Sequence, residues 1–473
     1  MNKQPNLIYV FADQLRYDAV GFNGVDRGLT PNLDALSRQS LNLVNAVSGH
    51  PVCAPYRASL FTGKYTTSTG MVINEIRLNP AHHPRCFAHL LNESGYESAY
   101  IGKWHMYANE LGNHLDSKNS FIPKGPHRLG FDGYFAAYNF HHEYYGAPAY
   151  YHLDAPEKIY HDGYEPDCQT DMAISQLERL HAQGRPFALF LSLGTPHDPW
   201  APGNVPPECL ARVKDLDFRL PPNYLPENDP QADDWARLSP AERAELTDWM
   251  RCYYAMVANL DDNIGRLTEA VRALGLDEDT ILVFTSDHGE LFGAHGRRAK
   301  NIFYDEAVRV PFLVRWPGVL GQGEERDICL NTVDVMPTLL RLMGLDIPSE
   351  TEGADMSLYL RDKNKTTEDG CLMMGTGPTA VFGDGCEWRA YRTKRHTYAA
   401  FKRDGKELLF DNIADPYQMN DLSNDPACAV LISDLRERMR GRMARIGDNF
   451  ERNSYYEAHW MEGRDIVRTA TCR

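Results

Sequence analysis

The sequence predicts an α/β protein with a large, mostly parallel sheet covered by helices on both faces, followed by a small C-terminal α+β unit. Two observations support this fold class. Short, continuously apolar segments rich in β-branched and aromatic residues alternate with helical patterns through the first two-thirds of the chain. Strands without a polar face are typical of parallel sheets that are buried on both sides. The C-terminal part instead contains several short strands and one helix, which predicts a small antiparallel sheet with a helix packed on it.

The elements follow one another in strand-then-helix order. The predicted strands are residues 6–12, 96–102, 186–194 and 280–286, and the predicted helices are 31–40, 84–94, 169–183 and 240–274. Residues 200–235 are rich in Pro, Asn and Asp and are interpreted as a long surface loop. In a parallel sheet of this kind, ligands bind beyond the carboxyl ends of the strands.

A charged, breaker-rich segment, "RDKNKTTEDG", places a domain boundary near residue 365. It separates a large domain over residues 1–365 from a C-terminal subdomain over residues 366–473. Within the subdomain, residues 387–412 predict short antiparallel strands and residues 425–446 predict a helix. We therefore expect two unequal units along the chain.

Composition excludes several classes of protein. A formal net charge of −16 over 473 residues argues against nucleic-acid and anionic-membrane partners. No run of 18 apolar residues is present, which argues against a transmembrane helix. Ten cysteines without framework spacing favour a reduced compartment. The N-terminus has no signal-peptide pattern, so we expect a cytoplasmic location, or a periplasmic or secreted one if a leader has been trimmed.

The segment "PVCAPYRASLFTGKY" places Cys53, Pro55 and Arg57 at alternate positions before a helical stretch. Proline is tolerated in the first helical turn because its missing N–H is not needed there. Residues four apart lie on one helix face, so Arg57 can point toward whatever Cys53 carries. A helix N-terminus also favours an anion. The alternative interpretation is a buried cysteine in a core helix.

The wider sequence resembles the type I, formylglycine-dependent sulfatase family of the alkaline phosphatase superfamily. In that family a cysteine in a Cys-x-Pro-x-Arg context is oxidised to formylglycine. The segments that carry the resemblance follow the family's order: "NLIYVFADQLRYD", "PNLDALSRQS", "CAPYRASLFTGKY", "GYESAYIGKWH", "TPHDPW", "TSDHGELFGAHG", "KNIFYDEAVRVPFLVRWPG", "DVMPTLLRLMGL" and "LLFDNIADPYQMNDLSND". The resemblance implies an alkaline-phosphatase-like fold, hydrolysis of a sulfate monoester, and a formylglycine-generating maturation enzyme as a partner.

Four polar residues at strand ends are candidate ligands of one divalent metal ion, together with Cys53. Asp13 and Asp287 offer carboxylate oxygens, Gln14 offers an amide oxygen, and His288 offers a ring nitrogen. Ligation dominated by oxygen favours Ca²⁺, with Mg²⁺ or Mn²⁺ as alternatives, over Zn²⁺. The commonest family pattern has acidic or Asn residues at positions 14 and 288, so the identity of the metal stays open. For the pair Asp13-Gln14 or the pair Asp287-His288 considered alone, a capped turn is the alternative interpretation.

The resemblance also implies roles for five further residues. A sulfate monoester needs charge neutralisation at its oxygens, an in-line nucleophile, and assistance to the leaving alcohol. A hydrated formylglycine would attack sulfur and then release sulfate by C–O cleavage, a second step that an ordinary serine cannot take. Arg57 and Lys103 would hold the diol, and His105 would deprotonate it. His197 and Lys300 would bind the sulfate and protonate or polarise the leaving oxygen.

Two other functions stay open. The first is phosphonate monoester or phosphodiester hydrolysis, because relatives with that activity share the Asp-Gln start and the Asp-His pair, although they lack "GKWH". The second is an unmatured pseudoenzyme that binds sulfated ligands.

Three remaining segments have two interpretations each. The aromatic and histidine-rich segment 138–152 is either a packed loop or a wall of the substrate pocket that stacks on a sugar. The second interpretation favours a sulfated saccharide as the substrate, with aryl or small alkyl sulfates as alternatives. The adjacent carboxylates Asp261 and Asp262 are expected to be capping or solvated rather than catalytic. For residues 454–473, docking on a neighbouring subunit of a homo-oligomer is one hypothesis.

Overall fold

The computed structural model describes residues 4–24, 27–145, 148–150 (backbone only) and 154–472. The strands of these residues are β1 Asn6–Ala12, β2 Leu41–Val47, β3 Glu97–Lys103, β4 Phe135–Tyr138, β5 Pro148–Tyr150, β6 Lys158–Tyr160, β7 Phe187–Leu193, β8 Thr280–Ser286, β9 Phe312–Arg315, β10 Glu324–Asn331, β11 Cys371–Gly375, β12 Trp388–Arg392, β13 His396–Phe401, β14 Glu407–Asp411, β15 Met461–Glu462 and β16 Asp465–Ile466. The α-helices are α1 Pro31–Ser37, α2 Cys53–Thr62, α3 Thr66–Thr69, α4 Phe87–Glu93, α5 Ser117–Ser120, α6 Glu165–Ala182, α7 Pro207–Val213, α8 Pro240–Ala273, α9 Asp305–Val308, α10 Thr332–Leu342, α11 Ser357–Arg361, α12 Ala429–Arg445 and α13 Asn453–Trp460.

Eight strands form the large sheet, in the order β10-β2-β9-β8-β1-β7-β3-β4. All neighbouring pairs are parallel except those of β9, which runs antiparallel to both β2 and β8. β1 lies inside the sheet, where Leu7 pairs with Ala188 of β7 and with Ile281 of β8. The predicted large, mostly parallel sheet is therefore confirmed.

Both faces of the sheet are buried under helices. In β1, Leu7, Tyr9 and Phe11 pack into one hydrophobic cluster with α2, α4 and α10. The intervening Ile8 and Val10 pack into a second cluster with α1, α6 and α8. Each fully buried side chain of this size contributes about 1.5–3 kcal/mol. Burial on both faces explains why the predicted strands are continuously apolar.

The four predicted strands and the long helices occur close to their predicted positions, but the segment 200–235 differs. It contains α7, whose residues Cys209 and Val213 are buried against the α8 side of the core. These two apolar residues lie four apart, the spacing of one helix face, so the interpretation of the whole segment as a surface loop is wrong. The capping interpretation of Asp261 is confirmed. Its carboxylate accepts the backbone N–H groups of Asn32 and Leu33, at the start of α1, at 3.1 and 2.7 Å.

A four-stranded antiparallel sheet, β11-β12-β13-β14, follows the large sheet in the chain. One of its faces packs on α12. The opposite face packs on the segment 291–308, where the indole N–H of Trp388 donates to the Asn301 carbonyl at 3.1 Å. The antiparallel sheet and packed helix predicted for the C-terminal part are thus both present.

The C-terminal segment packs on its own chain. Trp460 of α13 and Ile466 of β16 are buried in the same hydrophobic cluster as α2. All ten cysteines carry free thiols. Among the described helices, none combines the length and the apolarity that crossing a lipid bilayer requires.

A buried ion pair ties the small sheet to the turn after α12, and it provides a stability test. Arg389 donates from Nε and Nη2 to the two Asp448 oxygens at 2.6 and 2.9 Å, and neither side chain is exposed. Asp448→Asn leaves a buried guanidinium without its counter-charge. We expect it to lower the free energy of unfolding by about 3–5 kcal/mol, measured by denaturant titration.

The control is the exposed pair Arg85–Glu93, whose side chains are 46% and 55% exposed. Glu93→Gln is expected to cost less than about 1 kcal/mol. Equal effects of the two substitutions would contradict the importance given to the buried pair.

Candidate active site

Three strands of the large sheet end at one edge, and each end carries a charged residue. Asp13 follows β1, Lys103 is the last residue of β3, and Asp287 follows β8; all three are completely buried. The ammonium of Lys103 donates to Asp13 Oδ2 at 2.6 Å. The polar residues predicted at the carboxyl ends of the strands therefore do converge.

The N-terminus of α2 brings Cys53 to the same place. Its Sγ lies 3.6 Å from Asp13 Oδ1, 3.2 Å from His288 Nε2 and 3.8 Å from Lys103 Nζ. Burial, followed by the charge of Asp13, raises the pKa of the thiol to about 11. An unmodified Cys53 is thus protonated at neutral pH and is a poor nucleophile, because the thiolate is the reactive form.

Arg57 lies one helical turn after Cys53 and is fully buried. Its Nη1 donates to the Lys103 carbonyl and to Ser192 Oγ, both at 2.6 Å. Its Nη2 donates to Asp13 Oδ2 at 3.2 Å and lies 3.5 Å from Asp287 Oδ2. The spacing of four residues therefore places the guanidinium beside the carboxylates, as the helical pattern predicted.

Asp13, Cys53, Asp287 and His288 form a cluster whose potential ligand atoms all lie within 4.8 Å of one another. His288 Nδ1 is 3.0 Å from the Gly289 carbonyl, a contact that fixes Nδ1–H as the donor and leaves Nε2 free to bind a metal. Asp287 Oδ2 is buried and has no hydrogen-bond partner in the part of the chain that the structure describes. A buried carboxylate oxygen without a hydrogen-bond partner, beside a second carboxylate, fits a site for a divalent cation.

The pKa shifts of Asp13 and Asp287 also fit a site for a divalent cation. Burial and the neighbouring Asp13 charge raise the pKa of Asp287 to about 7. Burial would also raise the pKa of Asp13, but the charges of Lys103, His197 and Arg57 hold it well below its usual value. A divalent cation would relieve the repulsion between the two carboxylates.

Gln14 lies beside this cluster, in a left-handed backbone conformation with φ of 69°. Its backbone N–H donates to Asp287 Oδ1 at 3.0 Å. Its side-chain Oε1 accepts from Lys300 Nζ at 2.6 Å, and its Nε2 donates to Glu290 Oε2 at 2.6 Å. Sequence reasoning missed Glu290, although it follows His288 by two residues within the quoted motif "TSDHGELFGAHG".

His197 and Lys300 form a pair at the edge of the cluster. The ammonium of Lys300 donates to His197 Nε2 at 2.8 Å, and His197 Nδ1 lies 3.0 Å from the Asp198 carbonyl. The residues on both sides of Lys300 have left-handed backbones, with φ of 60° and 70°. Strained backbone of this kind concentrates at functional sites.

His142 connects the aromatic segment to the cluster, because its ring stacks on the His197 ring at 4.1 Å with an interplanar angle of 6°. The segment predicted either to pack or to line the pocket therefore reaches the site. Residues 146–147 and 151–152 of that segment lie outside the described residues.

His105 is buried, and both of its ring nitrogens lack a hydrogen-bond partner among the described residues. Its ring stacks on Phe140 at 4.8 Å. Burial and the charges of Lys103 and Arg57 lower its pKa well below the usual value. The lowered pKa favours the neutral form of the ring. The other nine predicted site residues are connected to one another by contacts of 4.0 Å or less. His105 follows one of them, Lys103, by two positions in the sequence.

The sulfatase family model matches residues 5–345, and the model of the C-terminal part of N-sulphoglucosamine sulphohydrolase matches residues 293–445. An ulvan-active sulfatase from Formosa agariphila is 37% identical over 456 residues, which cover 96% of this chain and 84% of the relative. An endo-4-O-sulfatase from Bacteroides thetaiotaomicron is 29% identical and covers 92% and 91%. A structure from work on glycosaminoglycan metabolism in B. thetaiotaomicron has a TM-score of 0.80 and 27% identity, covering 95% of this chain and 98% of that one.

Proposed function

The chain belongs to the sulfatase family of sulfuric ester hydrolases, and from this premise we propose that it hydrolyses the sulfate monoester of a saccharide. The nucleophile proposed is the hydrate of a formylglycine made from Cys53 by a separate maturation enzyme. One observation carries this proposal: the sulfur of Cys53 lies within 4 Å of a carboxylate, an imidazole and an ammonium group. A protonated thiol has no evident role among these groups, whereas an oxygen nucleophile does.

A divalent ion is proposed at the same place. Asp13, Asp287 and His288 would hold it, with Gln14 Oε1 and the side chain at position 53 beside them. Ca²⁺ is the ion proposed, because most of these donors are oxygens. When bound, such an ion supplies charge neutralisation for the ester oxygens and lowers the pKa of a coordinated hydroxyl group.

The chain's own residues would orient the nucleophile and take up its proton. Arg57 is held by four hydrogen bonds and Lys103 by its bond to Asp13, so neither cation needs to reorganise during the reaction. His105 is the residue proposed to accept a proton, at one of its two unpartnered ring nitrogens.

The pair His197 and Lys300 would act on the leaving alcohol. Burial opposes the charged form of Lys300, but nearby Cys53, Asp13 and Asp198 raise its pKa, so the ammonium persists. Lys300 Nζ would hold a sulfate oxygen and provide the proton that the departing oxygen needs, either directly or through His197 Nε2, 2.8 Å away.

The saccharide part of the proposal depends on the aromatic segment and on the relatives. His142 brings that segment against His197, next to the proposed sulfate position. A flat ring beside the proposed sulfate position suits the C–H face of a sugar. The names of the two relatives, one active on ulvan and one an endo-4-O-sulfatase, support the same class of substrate. Desulfation of a panel of sulfated saccharides by the matured protein would identify the sugar.

Hydrolysis of a phosphonate monoester or phosphodiester is the second candidate, because relatives with that activity resemble this chain in the pairs Asp13-Gln14 and Asp287-His288. Such substrates share the single negative charge of a sulfate monoester, but they carry two rather than three non-bridging oxygens and a bulky extra substituent. The site instead surrounds the nucleophile with buried cations, Arg57, Lys103 and Lys300. This concentration of positive charge favours a sulfate group, whose three non-bridging oxygens share the negative charge.

The test is the kcat/KM of the matured protein on matched aryl sulfate, phosphodiester and phosphonate esters, for wild type, Lys103→Ala and His197→Ala. We expect the sulfate ester to be preferred. Each substitution should lower turnover on it by about 10²–10³, the effect of losing one preorganised oxyanion donor.

Lys118→Ala serves as the control, because Lys118 is a surface lysine whose side chain is 62% exposed. A wild type that favours the diester or the phosphonate by more than about tenfold would replace the sulfatase assignment of this chain with the second candidate. Variants that lose nothing on sulfate would remove the roles proposed for Lys103 and His197.

A further inference from the structure

We propose that Glu290 is a positioning residue: it fixes the side-chain amide of Gln14 with the oxygen facing Lys300 and the proposed metal site. This inference rests on the proposed function for the presence of the metal. The side-chain hydrogen bonds of Glu290 go to Gln14, Phe292 and Ala299. None goes to the four clustered residues Asp13, Cys53, Asp287 and His288.

The two neighbours of the Gln14 amide decide its orientation. An amide has a donor end and an acceptor end that exchange places when it flips. The ionised Glu290 can only accept, and its Oε2 lies 2.6 Å from Nε2; the Lys300 ammonium can only donate, and it lies 2.6 Å from Oε1. A flipped amide would place its NH₂ group against the ammonium and its oxygen against the carboxylate. Both contacts therefore favour the same orientation, in which Oε1 remains available to the site.

Glu290 is itself held in place. Its second oxygen, Oε1, accepts the backbone N–H groups of Phe292 and Ala299 at 3.0 and 2.8 Å. Its carbonyl accepts from Arg16 Nη1 at 2.8 Å, and the residue is completely buried. Ala299 directly precedes Lys300, so one carboxylate fixes both the Gln14 amide and the backbone that leads into Lys300.

This contact also accounts for the departure of position 14 from the commonest family pattern. A carboxylate at position 14 would face the Glu290 carboxylate at the 2.6 Å separation of the present hydrogen bond. Two buried like charges at that distance repel strongly. Gln14 and Glu290 therefore form a matched pair, in which an amide at one position requires an acceptor at the other.

The pairing predicts the outcome of a reciprocal swap. In Glu290→Gln, the new amide oxygen is taken by the two backbone N–H groups, so its NH₂ group faces Gln14 Nε2. The Ca²⁺ dissociation constant should rise by about 10–100-fold, the usual effect of losing a residue that orients a ligand. In the double variant Gln14→Glu/Glu290→Gln, amide and carboxylate exchange places and the hydrogen bond is restored. Ca²⁺ affinity should return to within a few-fold of wild type.

Two readouts that need no turnover measure this cycle: Ca²⁺ affinity, by competition with a chromophoric chelator, and the melting temperature of the metal-free protein. Gln14→Glu alone should lower the melting temperature, and adding Glu290→Gln should recover it. Glu387→Gln is the matched control, because Glu387 is also buried and accepts two backbone N–H groups, at 2.7 and 2.8 Å, away from the site. It should lower the melting temperature and leave Ca²⁺ affinity unchanged.

The pairing would be overturned if the double variant had neither a higher Ca²⁺ affinity nor a higher melting temperature than Glu290→Gln alone. Ca²⁺ affinity in Glu290→Gln equal to that of wild type would overturn the positioning role. A wild type that binds no divalent ion would remove both the metal from the proposed function and the positioning role toward it. In that case the melting-temperature cycle still decides whether the two side chains are paired.

Discussion

Cys53→Ala is expected to lower the turnover of an aryl sulfate by a factor on the order of 10⁴–10⁶, the effect of removing a nucleophile on which a catalytic group depends. The geometry gives the reason. Asp13, Lys103 and His288 surround the position of the Cys53 sulfur, and each retains its other contacts in the variant. The surroundings therefore persist, but no side chain remains that can attack sulfur.

The measurement combines kinetics with the mass of the tryptic peptide that contains position 53. In wild type matured in a competent host, that peptide should be lighter than the cysteine form by about 18 Da, because CH₂–SH becomes CHO. Cys86→Ala is the control, since Cys86 is equally buried but lies in the hydrophobic core. Full activity with an unmodified thiol would contradict the role of Cys53. An unmodified and inactive protein that still binds sulfated ligands would indicate the pseudoenzyme instead.

Removal of divalent ions by a chelator is the second large effect, and we expect it to abolish turnover. Ca²⁺ or Mg²⁺ should restore activity better than Zn²⁺ if the oxygen donors dominate. Asp13→Asn should lose more than about 10³ in turnover, because the substitution removes a metal donor together with the counter-charge of Lys103 and Arg57. Added Ca²⁺ should not rescue it.

The control for this substitution is Asp261→Asn. Asp261 is a buried carboxylate that caps α1 and contacts no residue of the cluster. It should keep metal-dependent turnover and lose about 0.5–2 kcal/mol of stability. Chelator-resistant activity, or an Asp13→Asn variant with normal turnover, would exclude the metal-dependent mechanism.

The convergence of Asp13, Lys103 and Asp287 could be predicted from the sequence because it follows from one rule. Each residue ends an apolar strand, and parallel strands end at the same edge of a sheet. Arg57 could be placed with equal ease, because four residues make about one helical turn. These predictions needed only the type of each element and its end.

Other features could not be predicted, because they depend on contacts between distant parts of the chain. Glu290 acts through a hydrogen bond to Gln14, 276 positions away. The stacking of His142 on His197 depends on how two loops meet in space. β9 has only four residues, so neither its apolar run nor its antiparallel direction is distinct in the sequence. Local pattern describes an element, whereas these three features belong to the assembled fold.

The packing of the small sheet has a consequence for how the enzyme loses activity. Segment 291–308, which contains Lys300, is packed against the small sheet; Phe303 meets Trp388 edge-to-face at 5.6 Å, and Trp388 also bonds Asn301. The backbone around Lys300 thus takes its shape from residues almost ninety positions later in the chain. Heating to a temperature at which only the small sheet detaches would abolish hydrolysis while the eight-stranded sheet remains folded. Heat inactivation would then precede the loss of most secondary structure.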